Sequence, residues 1–102
     1  MILILLINYV LDGPVNMSVS PMKSAYQPGD ALTCLADSNP PSIYQWQDAK
    51  SGKVIEGATI TATGDMVGSN QTFQCVAMNT VRGQQRQSQT TISFIVQKGT
   101  II

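Results

Sequence analysis

The sequence predicts an all-β domain, a sandwich or barrel of short strands, and three observations carry that expectation. Beyond the first dozen residues helical periodicity is missing, and apolar and polar residues alternate in short runs separated by Pro, Gly, Asn and Asp. Charged residues make up only 12% of the chain, and Ser, Thr, Gln and Asn supply most of its polarity, which suits exposed antiparallel sheets. Two cysteines stand far apart, each inside an alternating run. At 102 residues the chain is one domain, small enough to gain from a covalent staple.

In chain order, PVNMSVS reads as a first strand, with Val15, Met17 and Val19 on a buried face against Asn16, Ser18 and Ser20. QPGD (27–30) is a turn, because Pro presets the bend and Gly accepts positive φ. ALTCLAD follows, with Leu32, Cys34 and Ala36 on one face, and SNPP (38–41) breaks it. SIYQWQD is the third strand, facing Tyr44 and Trp46 inward; DAKSGK (48–53) then turns the chain. KVIEG and ATITATG are two shorter strands. TFQCVAMN, the sixth, points Phe73, Cys75 and Ala77 one way and Gln74, Val76 and Met78 the other. TVRGQQ is a hairpin connection near Gly83. The long last strand, QRQSQTTISFIVQ, alternates Ile92, Phe94 and Val96 against Ser93 and Ile95. That makes about seven strands.

Cys34 and Cys75 are either a disulfide or two buried free thiols. With no histidine and no third cysteine, a soft-ligand zinc site cannot be assembled. The disulfide reading closes a loop of about 41 residues, worth roughly 4 kcal/mol in the chain-entropy model. It places the domain in an oxidising compartment. Two glycosylation sequons, Asn16-Met17-Ser18 and Asn70-Gln71-Thr72, agree with that; Asn70 is expected in a turn at one pole, away from any sheet face.

The segments CLADSNPPSIYQW and FQCVAMN resemble the immunoglobulin domain, over roughly residues 13 to 98. The resemblance implies a β-sandwich of about seven antiparallel strands in two sheets, with a Cys34–Cys75 bridge between them and Trp46 packed on it. Tyr44, Phe73, Leu32 and Phe94 complete the expected core. The stretch from Trp46 to Cys75 is too short for a variable-type domain, so the match is to the constant-like or C2-like group. Within it, GDMVGSNQTFQCVAMN is similar to nephrin-like and kirre-like adhesion proteins, and CLADSNPPSIYQW to carcinoembryonic-antigen-related and sialic-acid-binding receptors. Phe73 stands where many such domains carry a Tyr whose hydroxyl ties down a corner, so here the corner must be held otherwise.

The ends invite a separate reading. Residues 1–12 are expected to be the tail of a preceding domain or a degenerate signal segment, and 99–102 the start of a linker or a truncated end.

No catalytic constellation is visible: there is no histidine, Glu56 is the lone glutamate, and the aspartates sit in turns or strand ends. No phosphate-binding glycine motif or metal-ligand set is present, and formal net charge is zero with no basic patch for nucleic acid. An enzyme, a cofactor, a metal, a small-molecule substrate and a nucleic-acid partner are therefore not expected. Tyr44, Trp46 and Phe73 could be drawn as a ligand cage, but alternation puts them in the core. Arg82 and Arg86 read as a solvated hairpin.

The informative surface is the outward face of the third, sixth and seventh strands. It carries Ile43, Gln45, Gln47, Gln74, Val76, Met78, Gln87, Gln89, Thr91, Ser93 and Ile95, none of them charged. Charge depletion with exposed apolar residues is the signature of an interface core. Scattered β-formers with no binding role would look the same. The expected function is an extracellular adhesion or recognition module of a single-pass plasma-membrane receptor. Its expected partner is another immunoglobulin-type domain, homophilic or heterophilic, besides its neighbours in the same chain. The alternatives are a structural spacer and a secreted matrix or effector protein.

Overall fold

The computed structural model describes residues 12–99. The readings for residues 1–11 and 100–102 lie outside that range. Eight strands appear in order: β1 Asp12–Ser20, β2 Ala25–Tyr26, β3 Ala31–Asn39, β4 Ile43–Asp48, β5 Val54–Glu56, β6 Thr59–Thr61, β7 Asn70–Val81 and β8 Gln84–Val96. A short 3-10 turn, Gly64–Met66, lies between β6 and β7. They form a three-stranded sheet, β1-β3-β6, and a five-stranded sheet, β2-β8-β7-β4-β5.

Turn chemistry explains the joints. At Gln27–Asp30, Gly29 takes φ 99 and the Asp30 N–H donates to the Gln27 carbonyl at 3.0 Å. The Asp30 carboxylate in turn accepts the Gln27 N–H at 2.9 Å. The β7–β8 hairpin closes on two residues, Arg82 at φ 51 and Gly83 at φ 78. Two left-handed residues in succession match the twist of the flanking strands.

Two features of the strands depart from the sequence expectation. One strand is added: β2 pairs in parallel with β8, so the strands number eight and not all are antiparallel. The other departure lies in β1. Val15 was expected on the buried face but is 48% exposed, while Pro14 is buried and Val19 is 6% exposed. Asn16 has φ 54, and the β1–β3 register shifts on either side of Val15. A left-handed residue rotates the chain and inverts the inward parity before it.

The core lies between the sheets. Leu32 and Cys34 from β3 face Trp46, Phe73, Cys75, Ile92, Phe94 and Val96 from the larger sheet. Cys34 and Cys75 are joined, with Cα atoms 6.5 Å apart. Trp46 is the register partner of Cys75, so the indole sits beside the bridge, and both are fully buried. Trp46 packs edge-on to Phe73, Phe73 stacks on Phe94, and Phe94 meets Tyr26 edge-on at 5.1 Å. The polar tips are satisfied as burial demands: the indole N–H donates to the Ala58 carbonyl at 2.8 Å, and the Tyr44 hydroxyl accepts the Ala36 N–H at 3.0 Å.

Phe73 occupies the corner position with no hydroxyl, as its sequence requires. The buried side-chain amide of Gln71 takes over, donating to the Met66 and Ser69 carbonyls at 3.4 and 3.5 Å. At the same pole the Tyr26 hydroxyl donates to the Pro21 carbonyl at 2.6 Å and accepts the Lys23 N–H at 2.9 Å. Two sheets, an inter-sheet disulfide and the indole beside it make this an immunoglobulin-like β-sandwich.

Candidate functional site

The outer face of β4, β7 and β8 is built by register. Ile43, Met78 and Gln87 form one cross-strand row, Gln45, Val76 and Gln89 the next, and Gln47, Gln74 and Thr91 a third. Alternation forces these residues outward once Trp46, Cys75 and Ile92 face the core. Ile43 is 68% exposed, Met78 is half-buried, and the Gln85 amide reaches the Met78 sulfur at 3.7 Å. None of these side chains is charged.

Three features of this face differ from expectation. Val76 does point outward, but it is 7% exposed, not free. It occupies the middle of the sheet with glutamines directly opposite on both neighbouring strands, Gln45 and Gln89, long side chains that flank a short branched one. Its part is the floor of the patch. The second difference is a charged rim. β5 lies beside β4 and sets Glu56 opposite Gln45 and Val54 opposite Gln47, so the uncharged field ends at that edge.

The third difference concerns Asn70. It is not in a turn off the sheets: it is the first residue of β7, exposed, and opposite Ile95. By parity with Gln74 and Val76 its side chain belongs to this same face, at the lower end. Asn16, the other acceptor, lies on the smaller sheet, exposed, with its amide donating to the Asp37 carboxylate at 3.0 Å.

Away from the face, Tyr44, Trp46 and Phe73 are brought together as core, the Tyr44 hydroxyl and the Trp46 indole N–H being spent on backbone. Arg82 and Arg86 are exposed at the upper hairpin. Asp65 sits in the 3-10 turn, where the Thr63 hydroxyl and its own backbone N–H hold its carboxyl below the ordinary carboxylate range. Among the described residues no three metal-ligating side chains gather, and no helix is long and apolar enough to cross a membrane.

One polar cluster escaped the sequence reading. Asn79 is 7% exposed, and its amide donates to the carbonyls of Asp12 at 2.8 Å and Pro40 at 2.9 Å. Ser88 donates to the Pro14 carbonyl at 2.5 Å. A Cβ on Gly13 would come within 2.8 Å of the Arg86 side chain. The start of β1 is thus clasped by the far sheet. The signal was present: in FQCVAMN the next inward position after Ala77 is an asparagine, and a polar residue there needs partners.

No protein-family model matches the chain.

Proposed function

We propose that the chain is a non-enzymatic, extracellular module of the immunoglobulin superfamily, in a cell-surface adhesion or recognition receptor. It binds another immunoglobulin-type domain through the outer face of β4, β7 and β8. The observation that carries this reading is the uncharged row Ile43–Met78–Gln87 above the row Gln45–Val76–Gln89, bordered by Glu56. Removing charge lowers the desolvation cost of association, and the glutamines keep hydrogen-bonding capacity for a partner. Met78 adds an adaptable apolar contact. The disulfide and the sandwich support an oxidising, extracellular setting.

The test is a cell-aggregation or surface-binding assay of the full receptor carrying Met78→Lys or Ile43→Lys. Both should fold, since neither side chain is buried, and weaken binding by about 1–3 kcal/mol if near the patch centre. Val76→Lys is the contrast: burial makes it a folding defect first. If Met78→Lys and Ile43→Lys reach the surface and bind unchanged, the spacer reading replaces this one. The clasp on Asp12–Pro14 supports that alternative, because it braces the start of β1 across both sheets.

A further inference from the structure

At the lower end of the same face, Asn70 borders two adjoining hollows. The larger, about 670 Å³, runs between Val67–Ser69 and Ile95–Lys98, a size typical of small-ligand sites. The smaller is bounded by Ser24, Thr72 and Ser93, with Asn70 and Ile95 shared by both. Ile95 is 40% exposed there, with Asn70 opposite it on β7 and only the small Ala25 beside it on β2. Asn70-Gln71-Thr72 is a sequon whose acceptor and hydroxyl residues lie on one face, while Gln71 is held inward by its bonds to Met66 and Ser69.

We propose that Asn70 carries an N-linked glycan whose first N-acetylglucosamine seats in the larger hollow against Ile95, and that this sugar sets the lower limit of the binding face. The inference rests on the extracellular reading above. In the transfer, Asn70 Nδ2 bonds to C1 of the first sugar of a lipid-linked oligosaccharyl diphosphate. The C1–O bond breaks, the lipid diphosphate leaves with the electron pair, and the amide nitrogen loses one proton. Once attached, the apolar C–H face of the pyranose covers Ile95. Its hydroxyl and acetamide groups meet the polar wall at Gln97 and Lys98. Met78 lies eight residues farther along β7, about 27 Å at strand rise, so the upper rows stay open. Asn16 lies outside both hollows, on the smaller sheet.

The experiment directs the full chain into the secretory pathway of a eukaryotic cell, maps both acceptors by peptide mass spectrometry, and trims the glycans to single N-acetylglucosamines. Asn70 should be occupied, and the trimmed protein should melt a few degrees above Asn70→Gln. In an Ile95→Thr background that difference should shrink by half or more. Equal melting of trimmed wild type and Asn70→Gln overturns the seat, as does an undiminished difference with Ile95→Thr. An unmodified Asn70 beside an oxidised Cys34–Cys75 pair overturns the site and leaves the extracellular reading standing. Free thiols with both acceptors unmodified sink the extracellular reading itself.

Discussion

The β7–β8 hairpin and the β1–β3 ladder are both antiparallel pairs of long strands, yet they are built differently. β7 and β8 stay in register from Asn70↔Ile95 to Val81↔Gln84 without a break. β1 and β3 shift register on both sides of Val15, around the left-handed Asn16. An unbroken ladder keeps every second side chain on one face, so it can present a continuous surface to a partner. A broken one bends, and here the bend carries the start of β1 against β7 and β8, where Asn79 and Ser88 hold it. Regularity serves the surface; irregularity serves the joint between sheets.

The largest test removes the link between the two ladders. Cys34→Ala should lower stability by about 2–5 kcal/mol, read by denaturant unfolding with Trp46 fluorescence. An unchanged midpoint would mean that packing alone holds the irregular sheet on the regular one. Next is Tyr26→Phe, which keeps the ring against Phe94 but strips both hydroxyl bonds where the chain passes from one sheet to the other. A loss of about 1–2 kcal/mol is expected in the same unfolding measurement. The smallest effect sharpens the comparison most. Asn16→Ala and Asn16→Gly both lose the Asp37 contact, but only alanine is penalised at φ 54, so alanine should be the less stable by about 1 kcal/mol. Equal stabilities would assign the bend to the side-chain contact and not to the backbone.

The same contrast explains what the sequence made legible. In TFQCVAMN and TISFIV the period of two holds throughout, and the inward faces of Phe73, Cys75, Phe94 and Val96 could be read directly. The turns at Gly29 and Gly83 announced themselves through Gly chemistry. In PVNMSVS an asparagine that looked like an outward polar residue was the point where parity inverts. β2 is two residues long, too short for any periodicity, so Tyr26, one of the largest fully buried side chains, carried no strand signal. The alternation of TFQCVAMN starts at Thr72, whereas β7 starts at Asn70, and those two extra residues put the acceptor on the face. The burial of Val76 depends on which strands flank it, a non-local fact that alternation does not contain. The outer face was thus legible as a set of residues, and its limits were not.

The clasp at the start of β1 also has a mechanical meaning. Tension applied through the chain ahead of Asp12 does not load the β1–β3 ladder alone. The carbonyls of Asp12 and Pro14 are bonded to Asn79 and Ser88 on the other sheet, and Gly13 lies against Arg86. A pull therefore reaches both sheets in its first step, and peeling β1 from its edge requires breaking contacts to the β7–β8 hairpin as well. The weak, interrupted strand is the one braced across the sandwich, so force entering there is shared with the most regular part of the molecule.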